Sequence, residues 1–185
     1  MGDLQALAAE ASTCPRCDLA LTRTQVVFGA GAADADLVLV GEGPGADEDR
    51  LGVPFVGRSG QLLRRLVLEE TGLPPERCYT TNVVKCRPPG NRDPRPPEVV
   101  ACAPWLDGEL ALIAPKVVVT LGNFATRRLL GTKEGITALR GRTHPWRGAA
   151  LVPTFHPAAA LRGGAVTLDA MREDLARARQ LLEAS

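Results

Sequence analysis

Four short apolar runs, each followed by a segment of helical spacing, constrain this chain more than any other feature. The runs are Leu37–Val40, Tyr79–Val84, Val117–Leu121 and Ala150–Phe155. The first is apolar at every position, as a strand buried on both faces must be. Gln61–Glu70 sets Leu62, Leu63, Leu66 and Val67 at helical spacing, and Pro97–Ile113 carries Cys102, Trp105 and Leu106. Gly122–Leu130 follows the third run directly, and Thr167–Glu183 sets Leu168, Met171, Leu175 and Leu182 on one side. Strands alternating with helices four times predict an α/β fold: a central four-stranded parallel sheet with helices on both faces. A short helix over 4–11 is expected to lead to Cys14. Residues 46–58 are expected to form a loop, with Ser59 capping the helix that follows. Arg87–Pro97 holds five prolines and reads as irregular. Pro153 is expected to break the fourth strand.

No internal repeat, low-complexity stretch or linker divides the 185 residues, so the reading is one domain over 1–185. Apolar residues make up 45% and charged residues 23%, the balance of a soluble globular protein. No run is long enough to span a bilayer, and the N-terminus lacks a basic-then-apolar leader. A cytoplasmic protein is expected. The net charge of +1 announces no nucleic-acid partner. Its distribution says more: Lys85, Arg87, Arg92 and Arg95 stand against Asp93 alone, and six cations between Arg127 and Arg147 stand against Glu134 alone. Such patches are solvated surface or phosphate contacts.

Five cysteines in a cytoplasmic setting argue against disulfides and towards metal or catalysis. Cys14-Pro-Arg-Cys17 is a Cys-x-x-Cys knuckle, and Cys86 and Cys102 lie on elements able to return to it. Four thiolates suit either zinc or an iron–sulfur cluster. The second pair is not a knuckle, which leans the reading towards a cluster. Cys78 opens a strand and reads as a small core side chain.

In an open parallel sheet, ligands bind outside the carboxyl ends of the strands. The first run ends in Gly41-Glu42-Gly43-Pro44-Gly45, a carboxylate among glycines. Gly41-x-Gly43-x-x-Ala46 matches a dinucleotide fingerprint in form only. Pro44 lacks an N–H, Asp47-Glu48-Asp49 would repel a pyrophosphate, and no clean helix is expected there. His156-Pro157 follows the fourth strand, at the same sheet edge as Glu42. Asn82 ends the second strand with an amide that can read a base edge. Phe55 is either a core plug or a stacking face. His144 reads as part of a surface turn.

These residues carry a resemblance. The chain resembles the family 4 uracil-DNA glycosylases, the iron–sulfur type of bacteria and archaea. The matching pieces are Cys14-Pro-Arg-Cys17, Gly41-Glu42-Gly43-Pro44-Gly45, Gly52-Val-Pro-Phe55-Val-Gly57-Arg-Ser-Gly60, Tyr79-Thr-Thr-Asn82-Val-Val-Lys-Cys86-Arg-Pro-Pro, Cys102-Ala-Pro-Trp105-Leu and His156-Pro157-Ala158. They run in order over nearly the whole chain. The resemblance implies an enzyme of base excision repair that flips uracil out of DNA, hydrolyses its N-glycosidic bond and leaves an abasic site. It implies that Phe55 stacks on uracil, that Asn82 reads the O4 and N3 edge, and that Gly41, Gly43 and Asp47 line the pocket. His156 would stabilise charge on O2, and Glu42 would position or deprotonate water. Leu161 would wedge into the minor groove, and Arg162 and the basic segments would touch phosphates. Cys14, Cys17, Cys86 and Cys102 would hold a [4Fe–4S] cluster.

The implied partner is uracil-containing DNA, single- or double-stranded, met by a monomer with no membrane; binding to a replication clamp stays open. One branch resembling the family binds uracil-DNA covalently, through a histidine on a loop after the second strand and with Gln in the place of Gly43. Here that loop, Arg87–Pro97, has no histidine, which implies turnover. Two other readings compete: a non-enzymatic binder of damaged DNA on the same fold, and a cluster-bearing redox module.

Overall fold

The computed structural model describes residues 2–184. The four expected strands form the middle of one sheet, all parallel, and two short antiparallel strands close its edges. In chain order the strands are β1 (Ala30–Gly31), β2 (Leu37–Gly41), β3 (Cys78–Asn82), β4 (Val117–Leu121), β5 (His144–Trp146) and β6 (Ala149–Thr154), arranged β1-β3-β2-β4-β6-β5. The edge strands were not expected. Two or three residues with no apolar alternation leave no periodic signal. His144 therefore lies in an edge strand rather than a turn, and its Nε2 lies 3.1 Å from the Leu139 carbonyl. Pro153 does not break β6, which pairs with β4 from Ala150 to Thr154.

The helices are α1 (Gly2–Ser12), α2 (Ala46–Leu51), α3 (Arg58–Thr71), α4 (Pro96–Ile113), α5 (Gly122–Leu130), α6 (Ile136–Leu139) and α7 (Pro157–Glu183). The expected loop over 46–58 contains α2. Its first turn is acidic, which suits a helix N-terminus. Ser59 is inside α3, and Gly57 occupies the cap position. The closing helix starts ten residues earlier than Thr167 but is broken at Gly164, whose φ of 69° no helix allows. The turn before that break, Pro157–Gly163, faces the candidate site; the stretch after it packs on the sheet.

Every residue of β2 and β4 is buried, as strands covered on both faces require. On one face Leu37, Leu39, Val117, Val119 and Val152 meet Leu63, Leu66 and Val67 of α3 and Met171 and Leu175 of α7. On the other, Val38, Val40, Val118 and Leu151 meet Trp105, Leu106 and Leu110 of α4, with Ala125 of α5 and Ala11 of α1. Emptying a leucine site of this core, Leu66→Ala for example, would cost about 2–5 kcal/mol. Among the described residues no helix is long and apolar enough to cross a membrane.

Candidate active site

The chain leaves β2 towards β3 on one side and leaves β4 towards β6 on the other. Neighbours whose connections diverge open a crevice at their carboxyl ends. Glu42 stands beyond β2, and His156 stands two residues beyond β6. Asn82 is the last residue of β3, in register with Gly41. Together with Gly43, Pro44, Gly45, Glu48, Phe55, Ser59, Pro88, Asn91, Arg92, Ala158 and Arg162 they line a cavity of about 460 Å³.

Phe55 is buried in a left-handed conformation, φ 55°, uncommon for a bulky residue. Two charged side chains hold it there. Arg64 Nη2 donates to the Phe55 carbonyl at 2.7 Å. Glu48 accepts from the Val56 and Gly57 amides, each at 2.9 Å, and from the Gly45 amide at 3.1 Å. One carboxylate thus staples the Phe55 loop to the Glu42 loop. Gly60 lets the turn close, since a Cβ there would lie 1.8 Å from the Phe55 carbonyl oxygen.

The Asn82 side chain is buried, and its Oδ1 has no hydrogen-bond partner. A buried acceptor left unpaired in a cavity is a place for a ligand donor. Position 43 also admits no side chain without displacing Val84, 2.8 Å from where a Cβ would stand.

His156 caps α7. Its Nδ1 accepts from the Ala158 amide at 3.2 Å, so the proton of the neutral ring sits on Nε2. Burial first, and then the Arg162 charge, lower its pKa to about 4 against an opposing pull from Glu48. The imidazole is therefore a neutral donor at physiological pH. Glu42 is shifted the other way, to about 7, first by burial and then by the Asp93 charge. A carboxylate and a histidine shifted in opposite directions within one cavity make it a candidate functional site.

Asp47 sits differently from the sequence reading. Its side chain is exposed and pairs with Arg50 at 3.2 Å, and Glu48 lines the cavity in its place. The helical phase of α2, not legible while 46–58 read as a loop, decides which carboxylate turns inward. Leu161, 45% exposed, and Arg162 lie in the first turns of α7, and Arg162 lines the cavity. Half of the cations in the two basic segments meet internal carboxylates. Arg92 pairs with Glu98, Arg128 and Arg147 with Asp107, Arg140 with Glu173 and Asp174, and Lys85 is fully buried against Glu109.

The four expected cysteines line one small pocket with Arg16, Arg23, Lys85 and Trp105. Three of them receive hydrogen bonds: Cys14 Sγ from Trp105 Nε1 at 3.3 Å, Cys86 Sγ from Arg23 Nη1 at 3.4 Å, and Cys102 Sγ from the Lys85 amide at 3.2 Å. Donors aimed at sulfur stabilise thiolate, the form that binds metal. Burial opposes them, raising the Cys86 thiol and pushing Cys102 up to about 12, so a bound cation would have to draw those protons off. Among the described residues no three His, Cys, Asp or Glu side chains are gathered so as to hold a single metal ion. Cys78 is buried in the opposite core, as expected of a packing residue.

The chain matches the model of the uracil DNA glycosylase superfamily over residues 28–179. It is 44% identical to a type-4 uracil-DNA glycosylase of Thermotoga maritima over 92% of this chain and 90% of that protein. It is 41% identical to one of Sulfurisphaera tokodaii, covering 87% of this chain and 77% of that protein. With one of Saccharolobus solfataricus the identity is 37%, over 98% and 88%. The chain belongs to the uracil DNA glycosylase superfamily and, within it, to the type-4 enzymes.

Proposed function

We propose that this protein, acting as one domain over 1–185, excises uracil from DNA by hydrolysing the bond between uracil N1 and deoxyribose C1′. The observation that carries the reading is the unpartnered Asn82 Oδ1, buried in one cavity with Phe55, Glu42 and His156. The base must leave the helix to reach it. Asn82 Oδ1 accepts the N3–H of uracil while its amide donates to O4. Cytosine presents an acceptor at N3 and a donor at C4, so both contacts fail, and unpaired buried groups reject it strongly. Phe55 offers a flat face for stacking, and the backbone of Gly41 to Gly43 closes the pocket.

As the N1–C1′ bond breaks, its electron pair moves onto the base and gathers at O2, and positive charge grows on the sugar. His156 donates its Nε2 proton to O2 as a hydrogen bond. A neutral donor held in place suffices to stabilise that charge. Glu42 offsets the sugar charge and orients water, whose oxygen bonds C1′ and whose proton passes to the carboxylate. Leu161 fills the gap left in the stack, and Arg162 meets a phosphate.

Cys14, Cys17, Cys86 and Cys102 hold a [4Fe–4S] cluster in this reading. That the four cysteines line one small pocket, three with hydrogen-bond donors on their sulfurs, supports it. Bound there, the cluster would join the segment after α1, the segment after β3 and α4. The partner is uracil-containing DNA, met by a monomer. The test is incubation with an oligonucleotide containing one uracil, followed by alkali. Cleavage at the uracil position is expected; an uncut strand with iron-replete protein contradicts the proposal.

A further inference from the structure

Lys85 and Glu109 lie outside the cavity, yet both are fully buried, with side chains 1% and 0% exposed. Desolvating two charges is costly, and apolar residues of like volume often serve stability as well. This pair is instead fully spent on hydrogen bonds. The Lys85 ammonium donates to Thr81 Oγ1, to Glu109 Oε2 and, at 2.8 Å, to the Asn82 carbonyl. Glu109 also accepts from Tyr79 Oη and the Gly29 amide, each at 2.9 Å, and from Thr81 Oγ1 at 2.8 Å. The edge strand β1 pairs with β3 only at Tyr79 and Thr80, so it stops short of Asn82.

The main chain continues the link. The Val83 amide donates to the Gly41 carbonyl at 2.9 Å, the Val84 amide to that of Glu42 at 3.0 Å, and the Lys85 amide to Cys102 Sγ. Residues 82–86 thus run from the base-reading amide to the cysteine site, and the Lys85 side chain folds back to pin the start of that run.

We propose that Lys85, held by Glu109, is a positioning residue that fixes Asn82 for base recognition. The proposal rests on the uracil reading above. Removing Lys85 alone would strand a buried carboxylate, so the informative change is the neutral pair Lys85→Met with Glu109→Gln, which keeps an acceptor for Tyr79 and Gly29. Single-turnover excision is measured in wild type, in the paired variant, in Asn82→Ala and in the triple variant. The pair is expected to slow excision about 30-fold in the wild-type background, the scale of a misplaced contact. In the Asn82→Ala background the slowing is expected to fall below about threefold, because coupled residues are not additive. The inhibition constant of free uracil rises in parallel, while melting temperature and visible absorption stay near wild type. Equal slowing in both backgrounds, or none in either, overturns the proposal. If the paired variant does not fold, Thr81→Val removes one acceptor of the Lys85 ammonium without stranding a charge. A slowing that vanishes with Asn82→Ala supports the role, and one that persists refutes it. A wild type that releases no uracil refutes the glycosylase reading itself. An active wild type indifferent to these changes refutes only the role of Lys85.

Discussion

A Cβ on Gly41 would lie 2.4 Å from Cζ of Phe55, and the same Cβ would lie 2.5 Å from Oδ1 of Asn82. The glycine that ends β2 is what lets the stacking ring and the reading amide share one cavity. Gly41→Ala must push both aside. The expected result is a loss of excision rate of about 100-fold, as for a misplacement near 1 Å. Single-turnover kinetics, with a melting curve to show that the fold persists, check it.

Excision should follow the ionisation of Glu42. With its carboxyl raised to about 7 by burial and Asp93, the working carboxylate gains population as pH rises through neutrality. His156, lowered to about 4, stays neutral above pH 5 and adds no second inflection. A rate profile rising with an apparent pKa near 7 is expected, and Glu42→Gln should flatten it.

The same shift has a stability consequence. Between the ordinary carboxyl value of 4.5 and about 7, folded Glu42 keeps a proton that the unfolded chain releases. Stability therefore falls as pH rises through this window and levels off above it. Glu42→Gln lacks the effect. Its melting temperature should gain on wild type from pH 4.5 to 7, then hold a constant lead.

Arg140 belongs to a basic segment but should serve the fold, not DNA. Its guanidinium meets fully buried Asp174 at 2.9 and 3.2 Å, and Asp174 also accepts from the Gly141 amide at 3.0 Å. Arg140→Met leaves a buried carboxylate without its counter-charge, at a cost of about 3 kcal/mol. Chemical denaturation should show that loss. The salt dependence of DNA binding should stay as in wild type, whereas Arg162→Ala should shallow its slope.

Iron content separates the four clustered cysteines from the fifth. Cys102→Ser should lose brown colour and visible absorption, and Cys78→Ala should keep both. Stoichiometric zinc in a colourless wild type would contradict the cluster.

Much of this molecule is legible in the sequence where periodicity is strong. β4 and α5 fall at Val117–Leu121 and Gly122–Leu130 as expected, and β2 extends the expected run by one residue. Glu42, Asn82 and His156 stand out in the sequence because strand ends place chemistry in open sheets, Phe55 takes its role from the family resemblance, and the structure gathers all four around one cavity. The resemblance implies Asp47 for the pocket; that the Glu48 side chain lines the cavity depends on the helical phase of α2, hidden in a short segment rich in charge. The Lys85–Glu109 pair left no trace, since a partnership across 24 residues is a property of packing. The pairing of cations within the basic segments is hidden from the sequence for the same reason. Arg128, Arg140 and Arg147 meet their carboxylates only in the folded chain.

The most direct measurement is mass spectrometry of matched oligonucleotides carrying uracil, cytosine or thymine at one position, after single-turnover incubation with iron-replete protein. Free uracil and an abasic strand from the first substrate alone, with no protein–DNA adduct, are the expected result. An intact uracil strand, a covalent adduct or equal release of thymine would contradict a turnover uracil glycosylase built on Asn82, Phe55, Glu42 and His156.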